Sequence, residues 1–347
     1  MSPAATALDY PLKTTPGIGE VVDIVPGVRW LRLALPFMLN HINVWLLRDG
    51  DGWALVDTGL HTEATRATWA QVLEHHLDDR ALTRVIVTHL HPDHAGCAGW
   101  LAERFGIDLW MTREEYLLCR VLVADTGKPA PREALQFYRA AGFEEAQLGR
   151  YAEHFGAFGR VVAPLPLSHR GLAEGMELRI GDHCWEVLIG RGHSPEHACL
   201  LDRERRLLIA GDQLLPTISS NVSVYPTEPK ADPLRLWFQS LASLEQALPS
   251  DVLVLPAHGE PFRGAHGRLR ELAAEHERGL QALRELCRTP QRAVDVFPAL
   301  FKSAITDRNL IMAAGEAISH LNYLIERGEV EAHRDAAGVD RYRLAKA

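Results

Sequence analysis

The sequence predicts an α/β chain: a four-layer αββα sandwich with a helical lid insertion, followed by a small C-terminal unit of winged-helix type. Three observations carry this. In each half of residues 20–265, short β-branched runs lead into helical patterns, which suits two strand-plus-helix halves stacked face to face. Residues 113–158 are helical and charged, broken at Gly127-Lys128-Pro129 and at Gly142, and so form an insertion. After Phe262 the composition shifts, and residues 266–347 read as helix, helix and hairpin.

The elements follow in order. Residues 1–20, rich in proline and small residues, are expected to be a loose arm. Val21–Val25 and Val28–Leu33 flank Pro26-Gly27, and Asn43–Leu47 and Trp53–Asp57 flank Asp49-Gly50-Asp51-Gly52, two hairpin signals. Thr65–Leu77 has helical spacing, Arg84–Val87 is a buried strand, residues 95–105 a helix, and Ile107–Met111 a strand. Beyond the insertion, strands are expected at about Val161, at Leu178–Ile180, Cys184–Ile189, Ala198–Leu201 and Leu207–Ala210. The amphipathic helix Asp232–Leu248 and the strand Val252–Leu255 close this region. Helices at 268–288 and Met312–Glu326 then precede a hairpin of Val330–His333 and Arg341–Leu344.

Bulk properties exclude several classes. The 347 residues are 47% apolar and 24% charged, ordinary for a globular protein. No apolar run approaches the ~18 residues needed to span a bilayer, and the start lacks a secretory pattern. The five cysteines are scattered without CxxC spacing, which fits a reducing cytoplasm. A net charge of −8 disfavours generic attraction to nucleic acid or anionic membrane. Residues 265–347 hold 13 Lys/Arg against 12 Asp/Glu, so the C-terminal unit shows no cationic cluster for phosphates. It is expected to pack, cover a pocket or support a homodimer.

Chemistry concentrates in Thr88-His89-Leu90-His91-Pro92-Asp93-His94, where three imidazoles and a carboxylate follow a buried strand within six residues. Imidazole with carboxylate suits zinc and similar divalent ions. His193, Asp212 and His258 each follow a predicted strand and each has a glycine near it, which lets the backbone turn sharply.

At these residues the chain resembles the metallo-β-lactamase superfamily over about residues 20–265. The resemblance implies two bound metal ions, zinc in the first place, with iron or manganese accepted by the same donors. His89, His91 and His193 would hold one ion, Asp93, His94 and His258 the other, with Asp212 bridging. Two such ions lower the pKa of bound water to about 7. A hydroxide between them would attack a small ester, thioester or lactone, oriented by Asp93. Asp57 would orient a histidine from behind the ligands. Di-iron relatives usually carry Glu at the position of His91, so the histidine there favours hydrolysis. Homoserine lactonases have Tyr where this chain has Leu215, which weakens that assignment. His197, Ser219, Asn221 and Tyr225 are candidate pocket residues, with His41 and Asn43 near the site. The C-terminal unit resembles that of lactamase-like endoribonucleases through Arg268-Leu269, Glu275–Arg278 and Gly315–Leu324. A ribonuclease therefore stays open as an alternative, and so does a mononuclear iron persulfide dioxygenase, since relatives of the same fold use a subset of these ligands.

Overall fold

A computed structural model describes residues 8–36 and 39–346. The first sheet has seven strands in chain order: β1 (Val21–Val25), β2 (Val28–Ala34), β3 (His41–Asp49), β4 (Gly52–Val56), β5 (Leu82–Ile86), β6 (Asp108–Thr112) and β7 (Arg170–Leu172). Pairing is antiparallel from β1 to β4 and parallel from β4 to β7. The second sheet contains β8 (Glu177–Ile180), β9 (His183–Gly190), β10 (His197–Asp202), β11 (Leu207–Gly211) and β12 (Leu253–Pro256), in spatial order β12-β11-β10-β9-β8. Only its β11–β12 pair is parallel.

Alternation along the strands builds the layers. Val28 and Trp30 of β2, with Trp45 and Leu47 of β3, meet Trp185, Val187, Leu200 and Ile209 between the sheets. Leu31, Leu33, Val44 and Leu46 point the other way. There they pack with α1 (Glu63–His75), α3 (Ala98–Phe105) and α4 (Arg113–Ala124) through Trp69, Leu101 and Tyr116. Both faces are buried, which is why these strands read as apolar runs. Between α1 and α3 lies the single turn α2 (Pro92–Ala95). Helix α1 begins where Thr62 Oγ1 accepts the Thr65 N–H at 3.1 Å, an N-cap.

The outer face of the second sheet packs on α7 (Pro233–Ala247) and α8 (Ala265–Leu286) through Trp237, Leu241, Leu269 and Leu272. This apolar cluster continues into the C-terminal segment, which holds α9 (Phe297–Leu300), α10 (Leu310–Glu326) and a hairpin of β13 (Val330–Arg334) and β14 (Asp340–Leu344). The insertion joins the same cluster through Tyr138 and Phe143 on and after α5 (Arg132–Ala141), and Leu148 on α6 (Glu145–His154). Arg150 pairs with Asp307 at 2.8 Å.

Two expectations change. No strand forms at Val161; its carbonyl accepts the His61 N–H, and Ala163 N–H donates to Gly96, so this stretch ties loops together. Pro164 and Pro166 follow and lack ladder donors. The edge strand is Arg170–Leu172 instead. The first seven residues of the expected arm lie outside the described residues, but Asp9 and Ile18 make backbone bridges to Arg263 and Arg32, so the rest of it is anchored.

Candidate metal centre

Asp57, the His89–His94 turn, His193, Asp212 and His258 all follow the C-terminal ends of strands: β4, β5, β9, β11 and β12. Gly192, Gly211 and Gly259 beside the last three have φ of 107°, 50° and 83°, the left-handed region that glycine enters at no steric cost. A Cβ on Gly211 would also stand 2.5 Å from the His197 ring.

The seven residues converge as two groups. Ligand atoms of His89, His91, His193 and Asp212 lie within 4.8 Å of one another, and so do those of Asp93, His94 and His258. Asp212 reaches both. Its Oδ2 stands 3.5 Å from His193 Nε2, while its Oδ1 stands 3.5 Å from His94 Nε2 and 3.4 Å from His258 Nε2. His258 Nε2 is 3.4 Å from Asp93 Oδ2, and His193 Nε2 is 3.3 Å from His89 Nε2. Atoms bound tetrahedrally at ~2.0–2.2 Å from one ion stand about 3.4 Å apart. The fit to metal is also visible in what is left over: His94 Nε2 and Asp212 Oδ1 are buried and have no hydrogen-bond partner. The donors are three nitrogens and an oxygen in one group, and two nitrogens with carboxylate oxygens in the other.

Each orienting bond sits behind a ligand. His94 Nδ1 donates to Asp57 Oδ2 at 2.8 Å, His193 Nδ1 to the Asn221 carbonyl at 2.7 Å, and His258 Nδ1 to the His41 carbonyl at 2.8 Å. Thr88 Oγ1 lies 3.1 Å from His89 Nδ1. These acceptors hold one ring proton on Nδ1 and aim Nε2 at the centre. His91 is the exception, turning Nδ1 toward His89 Nε2 at 2.8 Å.

Charge is divided unequally. Burial and the neighbouring rings hold His89 well below the ordinary imidazole range, and burial takes His91 down to about 3. Burial also depresses His94 and His258, but carboxylates outweigh it: Asp93, Asp57 and Asp212 raise His94 well above its usual value, and Asp212 and Asp93 raise His258. In the metal-free protein the second group therefore carries protons that an ion must displace, whereas His89 and His91 are already neutral. Raising the pH toward those elevated pKa values should tighten binding at the His94–His258 group about tenfold per unit for each proton displaced. At the other group His89 and His91 have no proton to give up, so its binding should depend less steeply on pH. Calorimetric metal titrations at pH 6 and pH 8 check this, and equal weakening of both equivalents on acidification would refute it.

Other expected site residues divide by position. Asn43 is buried, accepts from Trp30 Nε1 at 2.7 Å, and donates from Nδ2 to the Pro256 and Gly259 carbonyls at 2.9 Å, so it positions the His258 turn. His41 Nε2 accepts the Gly259 N–H of the same turn. His197 does not line a pocket. It is 0% exposed and its Nε2 accepts the Asp212 N–H at 3.0 Å, behind the ligands. Asn221 spends its side chain on Glu316 Oε2, at 2.6 Å, and on Ser223 Oγ. Ser219 faces His276 at 3.4 Å, and Tyr225 is exposed. Leu215 is buried, its carbonyl accepting from Arg268 Nε at 2.9 Å, while Arg268 Nη2 donates to the Ile218 carbonyl. The loop after Asp212 is thus held by α8 and α10. Val224 N–H donates to the Gly315 carbonyl at 3.0 Å, and a Cβ on Gly315 would meet Ser223 Oγ at 2.7 Å.

Glu115 on α4 was not singled out by its sequence context. It is fully buried, and its carboxylate accepts the Leu90 N–H at 2.9 Å and the Glu196 N–H at 2.8 Å, joining the two histidine turns. Glu115→Ala leaves both amides without that acceptor, at about 1–3 kcal/mol each. Denaturant unfolding should show a loss in that range per amide, and an unchanged midpoint would refute the role.

Two histidine–carboxylate groups that share one aspartate, at the strand ends of an αββα sandwich, define a metal-dependent hydrolase. The chain belongs to the Metallo-beta-lactamase superfamily, which it matches over residues 39–259. Residues 280–345 match the Metallo-beta-lactamase-like, C-terminal domain. A "Beta-lactamase domain protein" from Burkholderia ambifaria is 40% identical with a TM-score of 0.90, covering 97% of this chain and 98% of that one. The metallo-beta-lactamase family protein TTHA1429 from Thermus thermophilus is 27% identical at a TM-score of 0.72, covering 93% and 100%. The "Probable metallo-hydrolase YqjP" of Bacillus subtilis (strain 168) is 27% identical over 301 residues, 85% of this chain and 91% of that protein. No helix among the described residues is long and apolar enough to cross a membrane.

Proposed function

We propose that this chain hydrolyses a small ester, thioester or lactone with two divalent metal ions, zinc in the first place. The observation that carries this is the Asp212 carboxylate, whose two oxygens face two separate ligand groups. His89, His91 and His193 would hold one ion, Asp93, His94 and His258 the other, and Asp212 would join them. When bound, the pair lowers the pKa of water to about 7 and polarises the substrate oxygen. Asp93 does the remaining work. Its Oδ2 lies 3.4 Å from His258 Nε2 and 3.7 Å from His94 Nε2, beside the second ligand group. From there it would orient the attacking water and accept its proton.

The C-terminal segment is read as a winged-helix-like unit that covers the loop after Asp212, with a small molecule rather than nucleic acid as partner. Near-balanced charge over residues 265–347 supports this. The five unpaired cysteines suit a cytoplasmic setting. A zinc-loaded preparation is expected to turn over at least one class in a panel of acyl thioesters, lactones and aryl esters, with loss on chelation and recovery on adding zinc. Absence of turnover across the whole panel would sink the reading.

A further inference from the structure

We propose that His276, Glu316 and His320 form a separate site for one transition-metal dication, of zinc-like chemistry, that pins α8 to α10. Glu316 and His320 are four residues apart on α10 and so share a face, which His276 meets from α8. One ligand atom from each lies within 4.8 Å of the other two. His276 Nδ1 and His320 Nε2 are 3.1 Å apart, close to the about 3.4 Å edge of a tetrahedral site.

The surroundings prepare those atoms. His320 Nδ1 donates to the Glu316 carbonyl at 2.8 Å, which leaves its Nε2 as a lone pair. Ser219 Oγ lies 3.4 Å from His276 Nε2. When that hydroxyl accepts, the His276 proton sits on Nε2, and two lone pairs face each other across 3.1 Å until a cation separates them. Without the ion, the proton shifts to Nδ1 and a His276–His320 hydrogen bond takes its place. Burial keeps both rings neutral, His276 at about 3 and His320 at about 4, so neither must lose a proton to ligate, whereas burial pushes the Glu316 carboxyl up to about 7, so ligation there releases a proton below that pH. Glu316 is oriented by Asn221 Nδ2 at 2.6 Å. Trp237 and Phe238 stand nearly perpendicular to the His276 ring and wall it with apolar surface. Three protein ligands leave a fourth position for water. No residue is shared with the centre described above.

Anomalous scattering at the zinc edge, from crystals of the full chain grown with zinc, tests this directly. A peak bounded by His276, Glu316 and His320 is expected; the two rings in direct hydrogen bond with no peak would overturn the proposal. Peaks at the His89–His258 cluster are scored separately, so either site can fail alone. In solution, wild type should take up one more equivalent of Co²⁺ than His320→Gln or Glu316→Gln, each checked for folding by circular dichroism. Equal uptake by wild type and both variants would also overturn it.

Discussion

Asp212→Ala is expected to cut metal retention at both ligand groups and to lower kcat/KM about 10³-fold, the equivalent of ~4 kcal/mol of lost transition-state stabilisation. The reason is geometric. Each Asp212 oxygen stands 3.4–3.5 Å from histidine nitrogens of a different group, so one substitution removes a donor from each. It also removes the anion that, with burial opposing it, raises His258. Without that anion His258 gives up its proton more easily, so protonation cannot explain a loss of metal there. Elemental analysis after dialysis, together with kinetics on a substrate found in the panel, makes the check. If the variant keeps both equivalents of metal, Asp212 is not a shared ligand.

Asp57 carries the second large effect. Its φ is 63°, a conformation that aspartate tolerates better than most side chains. From there one carboxylate accepts the Thr88 N–H at 2.8 Å, the Thr88 hydroxyl at 2.9 Å and His94 Nδ1 at 2.8 Å. Asp57→Ala should weaken metal binding at the His94 group about 10–100-fold, the usual consequence of removing the acceptor behind a metal-bound histidine. Chelator competition reads that shift. Asp57→Gly separates the two causes, because it relieves the backbone but restores no acceptor. Metal affinity in the glycine variant equal to wild type would show that backbone conformation, not the carboxylate, mattered.

The His89–His94 candidates were legible from their density after an apolar run, and His193, Asp212 and His258 from glycine-marked turns after such runs, local patterns that survive without tertiary knowledge. The sandwich was legible for a related reason: strands buried on both faces leave continuous apolar segments such as Val44–Leu47. Glu115 was not, because it lies in a charged helical stretch next to Glu114, and its task depends on two loops that the chain brings to it from 25 and 81 residues away. Val161-Val162 misled through β-branching, where hydrogen bonds of Val161 and Ala163 to the sequence-distant His61 and Gly96 decided the conformation. His197 misled in another way. Named as a pocket candidate, it opens β10, which pairs with β9, and so turns its ring behind Asp212.

The bond from Val224 to the Gly315 carbonyl, and that from Asn221 to Glu316, bear on how this protein can be taken apart. Asn221 also fixes the ring of His193, so the loop belongs at once to the reactive centre and to the last third of the chain. Two separately recognisable sequence regions, 39–259 and 280–345, thus meet in a single mechanical unit. Cutting between them would not release a smaller catalyst. It would remove the α8 and α10 contacts that hold the loop carrying Asn221, and with it the acceptor of His193 Nδ1, so engineered exchange of the C-terminal segment must carry residues 217–225 with it.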